Sequence, residues 1–153
     1  MEKRILLVFI SFVYLLMGLN AQSSKQWNIS YDAAQDLAKI NHKPIMLFFS
    51  GSDWCRPCIL LKTKILETPQ VSKWMDDHVN LVWCDFPRAK KNMPPAETVK
   101  QNEQLAASYN KKGEFPTIVF IDADGAVIAR TGYHEMTPEA YIAHLNGLLK
   151  KEY

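Results

Sequence analysis

An apolar run, Pro44-Ile45-Met46-Leu47-Phe48-Phe49, is followed after four residues by Trp54-Cys55-Arg56-Pro57-Cys58. This junction constrains the chain more than any other stretch of it. The run has the composition of a buried strand, and Ile59 to Leu66 has that of a helix, so Cys55 is expected where strand gives way to helix N-terminus. Unpaired backbone N–H groups and the positive end of a helix dipole both favour negative charge on sulfur there, and the thiolate is the reactive form. Arg56 adds a permanent positive charge beside it. Two cysteines so placed make a two-electron redox device: one sulfur exchanges while the second, held close, waits to displace it. The two-residue gap puts Cys55 at the tip and Cys58 one turn inward, against Leu61 and Ile65. Pro57 lacks an N–H, which does no harm in a first helical turn and stiffens the loop.

The chain has 153 residues, of which 48% are hydrophobic, enough for one compact domain and too few to expect two. Its amino terminus has a different composition. Lys3-Arg4 precede an apolar stretch from Ile5 to Leu19 that ends in Asn20-Ala21-Gln22, the pattern of a secretory signal peptide over residues 1–21 with the domain occupying 22–153. That stretch is shorter than the roughly 20 residues a membrane-spanning helix needs, which makes an uncleaved anchor the weaker alternative. No cysteine follows it, so a lipid anchor is not indicated.

The net charge is +2; Glu2, Lys3 and Arg4 contribute +1 of it, leaving +1 for residues 22–153. Lys90-Lys91, Lys111-Lys112 and Lys150-Lys151 are short pairs of solvated surface, so no nucleic-acid partner is expected. Three cysteines do not make a disulfide scaffold, and the odd count leaves one without an intramolecular partner. Closing so short a loop as Cys55–Cys58 removes little unfolded-state entropy, which argues against a purely structural bridge. Cys84 with His42, His78, His134 and His144 forms no second pair at zinc-ligand spacing, so no metal is expected. Cys84 itself lies inside the apolar run Val79 to Cys84 and is expected to pack as a small hydrophobe.

Along the rest of the chain, Tyr31, Ala34, Leu37 and Ala38 recur at helical spacing between Ser30 and Asn41, with Ser30 or Asp32 available as cap. Val71 to Met75 continues as helix after Pro69. Pro87 to about Thr98 reads as a loop broken by Pro87, Pro94 and Pro95, and Val99, Leu105, Ala106 and Tyr109 mark the helix beyond it. Thr117 to Ile121 is a second buried strand, Asp124-Gly125 a hairpin turn, and Ala126 to Thr131 the antiparallel return. Thr137-Pro138 starts a final helix with an apolar stripe of Tyr141, Ile142, Leu145, Leu148 and Leu149. The order predicts an α/β fold with a mixed central sheet between helices, the cysteine pair at the carboxyl end of a central strand.

Two stretches together carry a resemblance: Phe49 to Cys58, and Phe115-Pro116-Thr117 at the start of a strand. The chain resembles the thioredoxin superfamily. More closely, Lys43-Pro44, Gly51-Ser52-Asp53-Trp54-Cys55, Asp85-Phe86-Pro87, Gln101-Asn102, Asp122-Ala123-Asp124-Gly125 and Thr131-Gly132-Tyr133 look like exported single-domain bacterial thioredoxin-like proteins, over about Trp27 to Leu149. The resemblance implies that Cys55 enters the mixed disulfide, that Cys58 resolves it, and that Pro116 is a cis-proline facing the pair. It implies no cofactor beyond the Cys55–Cys58 disulfide. Trp54 is expected to cover the thiol and touch substrate, Phe115 to offer its backbone to an extended substrate, and Arg56 and Pro57 to tune the thiolate.

Three departures stand out. Phe49 closes a strand with no buried acid where thioredoxins often carry one beneath the second cysteine. One residue more than usual separates Tyr109 from Pro116, with Glu114 where a small or apolar residue is common, and the loop around Met93-Pro94-Pro95 is longer than in a minimal thioredoxin. The expected function is a monomeric thiol–disulfide oxidoreductase of the bacterial periplasm, reductase or isomerase rather than oxidase. It would exchange with exported protein thiols and disulfides and with a membrane or envelope redox partner. The alternatives are a non-catalytic peptide-binding or chaperone module and, more weakly, metal or haem handling by the pair.

Overall fold

The computed structural model describes residues 30–150; the leader expected over residues 1–21 and the start of the domain from 22 lie outside the described residues. In chain order the elements are α1 (Tyr31–Asn41), β1 (Ile45–Ser50), α2 (Arg56–Leu60), a π-helical turn (Leu61–Leu66), α3 (Pro69–His78) and β2 (Asn80–Asp85). After a short 3-10 turn (Lys90–Asn92) come α4 (Ala96–Tyr109), β3 (Thr117–Ile121), β4 (Val127–Gly132) and α5 (Pro138–Leu149).

The sheet runs β2-β1-β3-β4, with β1 parallel to β2 and antiparallel to β3. All six residues of β1 are buried, because both of its faces are covered. Met46 and Phe48, with Ile118 and Phe120 of β3, pack against Leu61, Ile65 and Leu66 of the π turn, Val71 and Met75 of α3, and Tyr141 and Leu145 of α5. Ile45, Leu47 and Phe49, with Val119 and Ile121, face Ala34 and Ala38 of α1 and Leu105 of α4. The result is the expected mixed sheet between two helical layers. Among the described residues no helix is long and apolar enough to cross a membrane.

Local chemistry sets the element ends. Ser30 rather than Asp32 caps α1, its Oγ accepting from the Ala33 amide at 3.2 Å, and Thr137 caps α5 in the same way through Ala140. The hairpin turns at Asp122–Gly125, where the Asp122 carboxylate accepts from the amides of Asp124 and Ala126 and Gly125 takes φ 87°.

Four expectations shift. The helix after the cysteines begins at Arg56, and Leu61–Leu66 winds as a π turn instead of continuing as α. The wider turn brings residues five apart together: Lys62 and Glu67 form an ion pair, and Leu61, Ile65 and Leu66 reach the core side by side. Leu37 is 42% exposed and so is not part of the packed face of α1, which rests on the two alanines. α4 starts at Ala96, inside the stretch read as loop, and its buried residues are Asn102 and Leu105 while Val99 is half-buried. Asn102 is a polar group in the core, and its amide donates to the Asp85 carbonyl at 3.1 Å.

α5 closes one layer through Tyr141 and Leu145, both fully buried, with the Tyr141 hydroxyl donating to the Gly132 carbonyl at 2.8 Å. Leu145→Ala should cost about 3 kcal/mol in urea unfolding through the cavity it leaves, and Tyr141→Phe about 1 kcal/mol for the lost hydrogen bond. Equal costs for the two variants would mean that α5 packs differently.

Candidate active site

β1 delivers the chain to the carboxyl end of the sheet at Ser50, and the next five residues turn it into α2. The Cys55 amide donates to the Gly51 carbonyl at 2.9 Å, closing that turn. A side chain at Gly51 would overlap the Trp54 ring, so the indole can lie back over the turn only because residue 51 has none. The carboxylate of Asp85, the residue paired with Ser50 across the parallel strands, accepts from Ser50 Oγ (3.1 Å), the Ser52 amide (2.9 Å) and Ser52 Oγ (2.5 Å). Ser50 Oγ in turn accepts from Trp83 Nε1 at 2.6 Å. One carboxylate at the end of β2 thus holds the whole departure from β1.

Cys55 is the N-cap of α2, and the Cys58 amide points at its Sγ, 3.3 Å away. The two sulfurs are joined as a disulfide with Cα atoms 5.2 Å apart. When the bond is reduced, that amide and the helix dipole both stabilise charge on Cys55 Sγ. Pro57 stands in the first turn, where its missing N–H removes no helical bond. Arg56 is exposed beside the pair. Cys55, expected as an open tip, is only 6% exposed in the oxidised form, and Cys58 is 1% exposed. The correction has a simple cause: as N-cap, Cys55 turns its sulfur back onto the first helical turn rather than outward.

The Phe115–Pro116 bond is cis, as the resemblance implies. Its loop is anchored by Asn110, the C-cap of α4: Asn110 Nδ2 donates to the Glu114 carbonyl (2.9 Å) and its Oδ1 accepts from the Glu114 amide (3.1 Å). Glu114 is therefore held through both its amide and its carbonyl. On the other side, a side chain at Gly132 would meet the Pro116 carbonyl, so β4 approaches the cis-proline closely because that position is glycine. Phe115 packs edge-on against Trp54 and against Phe86, both at 5.5 Å between ring centres. Trp54 Nε1 donates to the Phe86 carbonyl at 2.7 Å. Trp54 and Phe115, expected separately, thus meet as one aromatic surface next to Cys55.

Sequence reasoning quoted Asp53 and Asp85 within motifs of the resemblance but gave neither a role, and it did not single out Arg88. Asp53 accepts from the amides of Arg88 and Ala89, each at 2.9 Å, and from Asn92 Nδ2 at 3.0 Å; those backbone donors hold its carboxyl below the ordinary carboxylate range. The Arg88 guanidinium lies 4.2 Å above the Trp54 ring centre. Asp85 ends β2 and Asp53 follows β1 by three residues, at the same end of the sheet, which is the signal that would have found them. Cys84 is fully buried, and desolvation pushes its thiol far above the ordinary range, which keeps it protonated and inert. Among the described residues no group of three or more His, Cys, Asp or Glu side chains is placed to hold a metal ion.

Comparison with known proteins agrees with this geometry. The family model of the thioredoxin-like domain matches residues 31–148. The chain is 40% identical over 130 residues to the disulfide bond reductase DsbH of Chlamydia pneumoniae, covering 85% of this chain and 76% of that one. It is 28% identical to the thioredoxin-related protein DsbJ of the same organism, of which it spans 36%. A solved structure of a DsbH oxidoreductase superposes with a TM-score of 0.75 at 37% identity, over 87% of this chain and 94% of that one. The chain belongs to the thioredoxin-like family, and with Cys55 and Cys58 joined at the head of α2 it is a thiol–disulfide oxidoreductase.

Proposed function

We propose that the chain reduces or isomerises disulfides of exported proteins in the cell envelope, rather than forming them. The Cys58 amide aimed at Cys55 Sγ supports the exchange itself, because it stabilises the thiolate that attacks a disulfide, and it leaves the direction to other evidence. The likeness to a protein named as a disulfide bond reductase supports the direction. The Cys55 thiolate attacks a substrate disulfide, forming the Cys55 mixed disulfide and releasing one substrate thiolate. Cys58 then attacks Cys55 Sγ, closing the Cys55–Cys58 bond and releasing the second thiolate. Two electrons pass from the pair to the substrate. A dithiol donor in or on the membrane must return them, since the exported compartment is oxidising.

Trp54, Phe115 and the cis-Pro116 loop form the surface on which an extended substrate segment lies, while Arg56 and Pro57 tune and stiffen the exchanging turn. Residues 1–21 act as the export signal, and residues 22–153 work as a monomer. The cleft of about 660 Å³ lined by Tyr31, Gln101, Leu105 and Tyr109 contains neither cysteine.

Equilibration with a glutathione redox buffer, read by alkylation and mass, tests the direction. A potential near the roughly −270 mV of thioredoxin is expected, and one near the roughly −120 mV of a strong oxidant overturns the reductase reading. A pair that does not cycle at all hands the site to the alternative of a peptide-binding module.

Arg56→Gly should make the couple about 10–20 mV more negative, because the cation favours the thiolate and hence the reduced protein. An unchanged or higher potential in that variant would remove Arg56 from the tuning role. Cys58→Ala should trap the mixed disulfide on Cys55, and mass spectrometry should find no adduct on Cys84 of the folded protein.

A further inference from the structure

The loop after β2 does more than connect it to α4. Its first half is bolted to the redox turn: Asp53, two residues before Cys55, uses its carboxylate to accept from two backbone amides and one side-chain amide of residues 88–92. Trp54 binds the same loop through the Phe86 carbonyl. The consequence is a fixed position for Arg88, whose guanidinium rests on the Trp54 ring at 4.2 Å while the residue remains exposed. Lys90 and Lys91 follow it in the 3-10 turn, also exposed, and Arg56 is exposed on the other side of Cys55.

The two acids that hold the redox turn are engaged in hydrogen bonds of their own, Asp53 with its three donors and Asp85 with the two serines. Glu114 is exposed on the loop before Phe115, but Lys111 and Lys112 lie within three residues of it. Arg88 therefore lies on the Trp54 side of the exchanging cysteine, with Lys90 and Lys91 two and three residues further along the same loop and Arg56 directly after the cysteine, in a chain whose net charge is only +2. An exposed guanidinium stacked on an aromatic ring gives up rotamer freedom before any ligand arrives, so it binds a carboxylate at a smaller entropic cost than a free surface arginine.

We propose that Arg88, with Lys90 and Lys91 behind it, selects substrates in which the target cysteine is flanked by Asp or Glu. The occupant is an extended acidic segment of a protein substrate lying from the cis-Pro116 loop across Trp54. The inference rests on the oxidoreductase reading and adds the substrate class to it. The exchange is the one already described, with electrons supplied by the reduced Cys55/Cys58 pair and the two substrate thiolates as products.

The test uses reduced protein freed of reductant and two peptides alike except for Glu or Lys on both sides of one cysteine, each cysteine capped as a disulfide with 2-mercaptoethanol. Rates are divided by those of dithiothreitol with the same peptide, which removes the intrinsic effect of the flanks on the sulfur. Wild-type protein should prefer the Glu peptide by about three- to tenfold at low salt, falling toward parity at high salt. Arg88→Gln should lose most of that ratio and Arg88→Lys should keep it, an outcome a purely structural role for Arg88 would not produce. A Lys90→Gln/Lys91→Gln variant should lose a smaller part. Equal rates on the two peptides, or a ratio indifferent to Arg88→Gln, overturn the proposal while leaving the oxidoreductase reading intact. Failure to reduce either peptide and the neutral disulfide of 2-mercaptoethanol overturns both.

Discussion

The departure of the chain from β1 is the constraint on which the redox centre depends, and a single carboxylate holds it. Asp85 sits beside Ser50 because β1 and β2 run parallel in register, and from there it gathers Ser50 and Ser52. Asp85 is itself fixed from behind, since Asn102 of α4 donates to its carbonyl. A helix in one layer thus reaches, through one strand end, to the loop that positions Cys55. The order of construction is core first: the two buried faces of β1 set where the strand must stop, and polar groups at that edge then shape the turn.

The same logic explains the aromatic surface. Trp54 is placed by three independent constraints: the bare Gly51 beneath it, the Phe86 carbonyl at its nitrogen and the edge of Phe115. Each comes from a different segment, so the indole orients the loop after β2 and the cis-proline loop relative to one another. Anchoring by Asn110 at one end and the close approach of Gly132 at the other complete the cis-proline loop without any contribution from the cysteines. The aromatic surface beside Cys55 is built from contacts among these segments.

Much of this is legible in the sequence where one physical rule dominates. β1 and β3 announce themselves because strands buried on both faces must be continuously apolar, and the pair after β1 is conspicuous for its spacing alone. Gly125 and Thr137-Pro138 mark the hairpin and the last helix by chemistry that few other residues perform. What is not legible is long-range polar pairing. Asn102, Asn110 and Asp85 look like surface residues, and only the folded chain shows their partners 4 to 35 positions away. Leu37 misleads for the opposite reason: helical spacing says which residues share a face, not how far the neighbouring layer extends. The π turn is likewise invisible, since an i to i+5 ion pair has no pattern distinct from a chance pair of charges.

The missing acid beneath the second cysteine follows from the same arrangement. Phe49 lies in the apolar cluster with Leu47, Val82 and Cys84, so the strand supplies no carboxylate on that face. Cys58 is buried at 1% exposure, and β1 carries no carboxylate on either of its buried faces. In the exchange proposed above, the proton that Cys58 gives up on attacking Cys55 Sγ would have its acceptor in the reaction itself: the substrate thiolate released in the first step, or solvent beside it. Proton transfer in that exchange would be coupled to substrate chemistry at the surface instead of to a carboxylate on β1. The rate of that resolving step would then depend on the substrate's own thiol acidity more than it would with a carboxylate in the core.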